Sequence, residues 1–161
     1  MGRFRDADVS SFPFNYWNDH DPAEVPPYCA KCHSTSGFRD FVGADGSAAG
    51  SVEKPGKIQD PINCTACHST AAHNLDSVTF PNGVEITGTG SSSVCMSCHS
   101  GMGSGKSVTD ATAGKAEDEP LADQELIYNH YYASAAVRAG ADAGTGYQYE
   151  GKSYVGTFTH A

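Results

Sequence analysis

Positive charge, long apolar runs and unassigned cysteines are what this chain lacks. Ten Lys and Arg stand against nineteen Asp and Glu, a formal net charge of −9. A surface so poor in cations cannot neutralise phosphates, so nucleic acid is excluded as an expected partner. The acidic surface serves solubility and suits a cationic or mineral partner without selecting one. No run approaches the roughly 18 apolar residues that a membrane helix requires, so no membrane span is expected. The opening residues, Met1 to Asp8, hold no hydrophobic stretch of a secretory signal. Apolar residues make up only 39% of the 161 positions, thin for a self-sufficient core. Methionine is scarce at three residues, and no cysteine lies outside one repeated pattern.

That pattern is Cys-x-x-Cys-His. It occurs as Cys29, Cys32, His33; as Cys64, Cys67, His68; and as Cys95, Cys98, His99, and it uses all six cysteines. It is the attachment pattern of c-type haem. Two thiols on one short turn can bond the two vinyl groups along one porphyrin edge, and the histidine that follows is carried under the ring to the iron. The expected cofactors are therefore three covalently bound haem c groups. A zinc ribbon uses Cys-x-x-Cys pairs two at a time, so three pairs leave one unmatched and the histidines unexplained. Three disulfides would not need the histidines either. Thioredoxin-like chemistry uses one such motif in a strand–helix setting.

Haem iron has two axial positions. His33, His68 and His99 would fill one on each haem, and His20, His73, His130 and His160 remain for the three positions opposite. Methionine is the other usual ligand. Met96 is trapped within a motif and faces the wrong way, Met1 is terminal, and Met102 follows His99 closely and is expected to fill a gap or lie exposed. Histidine on both sides of every iron implies low potentials. His73 comes five residues after His68, too few to pass round the porphyrin, so it is expected to serve a neighbouring haem and to bring two rings close together. His130 sits beside Tyr128, Tyr131 and Tyr132, and His160 lies close to the last residue.

Eighteen glycines and eight prolines point to a mostly irregular, loop-rich chain. The expected architecture is a few short helices and small β-hairpins in one domain, residues 1–161, wrapped around three haems. At roughly 54 residues per haem the protein around each group is ample. The buried porphyrins supply the missing apolar core, so haem-free protein is expected to show no native-like cooperative melting by circular dichroism. Phe12, Phe14, Tyr16 and Trp17, ahead of the Pro26-Pro27 breaker, are expected to pack on the first haem. The motifs recur at intervals of 35 and 31 residues, as one haem-binding unit repeated would. Residues 77–87 alternate around Asn82-Gly83 and read as a β-hairpin. Residues 107–113 suit a helical turn. Pro120 is expected to open the clearest helix, with Asp123 and Glu125 near its start, Arg138 in its last turn and a stop at Gly140. Residues 147–159 read as a second hairpin turning at Glu150-Gly151. The run from Gly101 to Ser107 looks like a phosphate-binding loop, but the first glycine of that pattern would fall at Ser100, and a haem motif precedes it in place of a strand.

Four stretches carry a family likeness: residues 25–43 around the first motif; Cys64 to His68 with His73 and the run from Val78 to Gly83; residues 94–108 around the third motif; and Asn129-His130-Tyr131 with residues 146–154 and Phe158-Thr159-His160. Together they resemble the extracellular multihaem c-type cytochromes of bacteria, including relatives of the filament-forming cytochromes of metal reducers. The resemblance spans roughly residues 17–160. It implies that His73, His130 and His160 are distal ligands, with His20 the spare. Many such relatives carry four or more haems, whereas this chain has three motifs.

The expected function is electron transfer by closed, six-coordinate haems, with redox proteins or extracellular acceptors as partners. A homopolymer is a further expectation, in which His160 or His20 is donated to a neighbouring subunit's haem; a heterologous contact that does not close makes a filament. Covalent attachment of this kind takes place outside the cytoplasmic membrane. The expected location is thus extracellular or periplasmic, with a signal peptide already removed. The competing reading is a haem reductase of nitrite or another oxyanion, which needs an open axial position. All three motifs keep their histidine and the distal supply exceeds demand, so an enzyme is not expected.

Overall fold

The computed structural model of the chain describes residues 12–122 and 133–159. The chain divides into two compact units, Met1–Leu75 and Asp76–Ala161. The first two Cys-x-x-Cys-His motifs fall in the first unit and the third in the second. Helices are short and joined by irregular loops, and two strands form the one sheet among the described residues. No helix among the described residues is long and apolar enough to cross a membrane.

The first unit holds α1 (Phe12–Asn15), α2 (Pro27–His33), α3 (Thr35–Phe41), α4 (Cys64–Cys67) and α5 (Thr70–His73). Pro27 opens α2 where a missing N–H is harmless. Ser34 ends α2 through its amide, which donates to the Ala30 carbonyl at 3.1 Å. Its hydroxyl then caps α3 by accepting from the Gly37 amide at 2.9 Å. One buried serine thus turns the chain between the two helices. Asn63 and Ser69 cap α4 and α5 in the same way. Thr35 clasps the segment leading to the second motif: its hydroxyl donates to the Pro61 carbonyl at 2.8 Å and accepts from the Asn63 amide at 3.0 Å. Asp40, buried in α3, accepts from the amides of Glu53 and Lys54 and closes the intervening loop. Trp17, Val25 and Ala30 form the core beside α2, with Val52 and Ile58 packed against them.

The second unit holds β1 (Ser77–Thr79), β2 (Glu85–Thr87), α6 (Ser92–His99), α7 (Gly105–Thr112), α8 (Ser134–Ala139) and a 3-10 turn, Gly140–Asp142. The strands pair antiparallel with Val78 opposite Ile86, the hairpin expected from the alternation. Its loop is closed by the Phe80 amide on the Val84 carbonyl and the Gly83 amide on the Phe80 carbonyl, both at 2.8 Å. Val78, Phe80, Met96, Ala135, Ala136, Ala139 and Ala143 form the core. Met96 is therefore spent on packing. A separate apolar groove of about 470 Å³ runs between α8 and the tail, lined by Val137, Tyr147, Tyr154, Val155 and Phe158 among others.

Three sequence expectations need correction. Pro120 does not open a helix: residues 120–122 are non-helical, and the helix that ends before Gly140 begins at Ser134. The chain is already turned before Pro120 by Glu119, which accepts from the Ala116 amide and from Lys115 Nζ. Residues 123–132, including Asp123 and Glu125, lie outside the described residues. The tail turns at Glu150-Gly151 as expected, but residues 152–159 form no strand. Their backbone groups go elsewhere. The Val155 carbonyl accepts from the Ala141 amide and the Phe158 amide donates to the Arg138 carbonyl, each at 2.8 Å. Asp142 Oδ2 accepts from the Thr157 amide at 2.7 Å, and hydrogen bonding from Thr157 holds that carboxyl below its ordinary range against the opposing effect of burial. The helical turn read over 107–113 starts two residues earlier, at Gly105. A Cβ at Gly105 would lie 2.9 Å from both the Gly146 oxygen and the Tyr147 Cα, so close backbone approach accounts for this glycine without any phosphate.

Candidate functional site

Each Cys-x-x-Cys-His motif is helical. Cys29, Cys32 and His33 end α2, Cys95, Cys98 and His99 end α6, and Cys64 and Cys67 bound α4. His68 caps α4, its amide still donating to the Cys64 carbonyl at 2.8 Å. In α2 and α6 the positions i, i+3 and i+4 of the motif fall on one helix face, whereas His68 follows α4 with non-helical backbone. One residue between the cysteines of each of the first two motifs is fully buried, Ala30 and Ala66, and Met96 and Ser97 are buried in the third, whereas Lys31 is half-buried and Thr65 exposed. These buried residues anchor the helices that carry the thiols. Cys64 and Cys95 are exposed and the other four thiols half-buried, and none of the six is in a disulfide. Burial, and then the neighbouring Cys32, push the Cys29 thiol above its ordinary value, which keeps it protonated.

His33 is the most elaborated of the motif histidines. Its Nδ1 lies 2.9 Å from the Pro13 carbonyl oxygen. A carbonyl can only accept, so the imidazole proton sits on Nδ1 and the lone pair on Nε2. Trp17, buried, lies 5.3 Å from the His33 ring by centroids, and Phe14 lies 6.3 Å away, edge-on. Tyr16 contacts Trp17 at 5.2 Å and His20 at 4.9 Å. The aromatic segment expected at the first haem does gather beside the first motif; the Phe12 side chain lies outside the described residues. No sequence signal links Pro13 to His33, since the bond spans 20 residues.

His68 and His73 are both exposed, with ring centroids 6.0 Å apart and planes at 78°. The residues joining them form α5, where the His73 amide donates to the Ser69 carbonyl at 3.0 Å. A compact helical link of this kind cannot run round a porphyrin edge. Two imidazoles side by side on one short segment can therefore serve two different irons but not the two faces of one. His20 is exposed. His130 and His160 lie outside the described residues. Met102 is exposed, one of the two placements expected for it.

Each motif supplies two thiols about one turn apart and an imidazole on the next residue, the donor types that would tether a porphyrin by two thioethers and ligate its iron. Among the described residues no group of three or more His, Cys, Asp or Glu is gathered as a bare metal ion would need. No family model, no curated protein and no solved structure matches the chain.

Proposed function

We propose that the chain is a trihaem c-type cytochrome that carries electrons through bis-histidine haems. The observation that carries this reading is that all six cysteines fall in three Cys-x-x-Cys-His motifs, each built on a short helix that sets its two thiols one turn apart with the histidine next in the chain. The haem, when bound, supplies a one-electron iron couple. The protein's own residues do the rest. Cys29 and Cys32, Cys64 and Cys67, and Cys95 and Cys98 tether. His33, His68 and His99 ligate from the motif side, and His73, His130 and His160 from the other, with His20 in reserve. The short link from His68 to His73 through the one-turn α5 supports crossed ligation, which would bring two porphyrins close enough for rapid tunnelling. With both axial positions taken, no substrate reaches the metal, and the function is transfer without catalysis. Redox proteins or extracellular acceptors are the partners, and the site of action is extracellular or periplasmic. Donation of His160 or the exposed His20 to a neighbouring molecule would extend the carrier into a conducting homopolymer.

The decisive measurement is the intact mass of purified protein with its ferric spectrum. Three haem masses above the bare chain and uniformly low-spin iron are expected; a colourless chain of bare mass ends the proposal. His73→Ala is expected to turn one of three ferric haems high-spin, whereas His20→Ala leaves all three low-spin. Unchanged spin states after His73→Ala would remove His73 from the ligand set.

A further inference from the structure

We propose that Asn82 is a gated modification site: the folded second unit holds its amide against deamidation, and loss of that amide unlatches the β-hairpin from the segment that follows α8. Asn82 is the one asparagine of the chain that glycine follows, and Gly83 has no side chain to hinder attack by its own amide nitrogen. The chemistry needs only water. The Gly83 nitrogen gives its proton to solvent and bonds to the Asn82 side-chain carbon. The bond from that carbon to Nδ2 breaks, and Nδ2 leaves as ammonia with a proton returned by solvent. Water then opens the resulting imide at either carbonyl, leaving aspartate or isoaspartate with no change of oxidation state. In the folded unit both reacting nitrogens are engaged. Nδ2 donates to the carbonyls of Ala143 and Gly144, at 2.8 and 3.1 Å, and the Gly83 amide donates to the Phe80 carbonyl at 2.8 Å. Oδ1 accepts from the Val84 amide at 3.3 Å, so donor and acceptor ends agree on the orientation of the side chain. Attack must break these bonds and turn the side chain out of its seat. The product cannot take that seat again. A carboxylate only accepts hydrogen bonds, so aspartate at position 82 sets negative charge against two carbonyl oxygens. The latch lies over the core in which Val78 and Phe80 of the hairpin meet Ala143, and that core includes Met96 from between Cys95 and Cys98. Modification therefore loosens the hairpin, the segment after α8 and the support of the third motif together.

The test incubates the purified full-length protein at neutral pH, folded in buffer and unfolded in guanidinium chloride, and follows residue 82 by peptide mass and isoaspartate detection. Deamidation at Asn82 should be at least tenfold slower in the folded protein, and in the unfolded chain it should outpace every other asparagine. Equal rates in the two states, or a faster asparagine elsewhere in the unfolded chain, overturn the proposal. Asn82→Asp carries one product from the start. Its melting temperature at neutral pH should fall by about 4 °C or more, and hydrogen exchange at the Gly83 and Val84 amides should quicken at least tenfold. An Asn82→Asp protein that melts with the wild type and keeps its exchange there refutes the latch. Should that variant fail to fold, Asn82→Ala removes the donors without adding charge, and wild-type melting of Asn82→Ala would refute the latch equally. Residue 82 is read by peptide mass whether or not haem is bound, so this inference and the trihaem reading stand or fall separately.

Discussion

Serine in place of Cys64 and Cys67 together is expected to strip one haem from the protein, lowering the intact mass by one haem and the Soret absorbance by a third. The reason is chemical. A hydroxyl does not add to the vinyl groups under the conditions in which a thiol does, and one axial imidazole from an exposed histidine is a poor hold on a free porphyrin. The second motif suits this test because its failure is hard to confuse with misfolding. Cys64 is exposed and Cys67 half-buried, while the residue that anchors α4 is the fully buried Ala66, which the substitution leaves in place. The Asn63 cap on the Thr65 amide, at 2.9 Å, is also untouched. Local helix structure should persist while the cofactor is lost. Two alternatives give different results in the same experiment. Paired zinc sites would lose metal without any change in visible absorbance, and a disulfide framework would show a loss of two oxidised thiols and no colour at any stage.

What could be read in advance follows the range of the interactions involved. The short turn carrying each pair of thiols was legible because a two-residue spacing is a local signal, and so was the adjacency of His68 and His73, five residues apart. The hairpin over 77–87 was legible because alternation and Asn82-Gly83 act over neighbours, and the Val78–Ile86 register bears it out. The stop at Gly140 is likewise local. Legibility ended where distant backbone decided the outcome. The tail was expected to pair with itself, but Val155 and Phe158 find partners at Ala141 and Arg138, more than ten residues back, so it lies along the end of α8. Pro120 carried the right residue type for a helix start, yet Glu119 had already closed a turn there. The Pro13–His33 bond, across 20 residues, leaves no trace in composition or spacing. Nor does any pattern foretell that the glycine of α3 lies against the first motif.

That glycine is Gly37, and Gly37→Ala is expected to be strongly damaging to the first unit. On helix propensity alone alanine should gain about 1 kcal/mol over glycine. Sterics reverse the sign. An added Cβ would lie within 2.5 Å of the Ala30 carbonyl carbon and Cβ and would also meet the Ala30 oxygen. Two of these three are backbone atoms of α2, which cannot turn aside as a side-chain tip can. The helices must part, and the tight Ser34 link between them, with its hydroxyl on the Gly37 amide, leaves little slack. Overpacking of this kind costs about 1–3 kcal/mol and more where backbone must move. For a chain of this size each kcal/mol lowers the melting temperature by about 2–4 °C. The loss should extend beyond stability. Ala30 stands between Cys29 and Cys32, so displacing it tilts the first motif and the His33 ring bonded to Pro13. Circular dichroism melting and haem count by mass should therefore fall together, with the deficit confined to the first haem. Gly146→Ala is the control: nothing lies within 4 Å of its added Cβ, and a change near zero is expected there. Equal melting temperatures for Gly37→Ala and wild type would mean that α2 and α3 are not packed this closely.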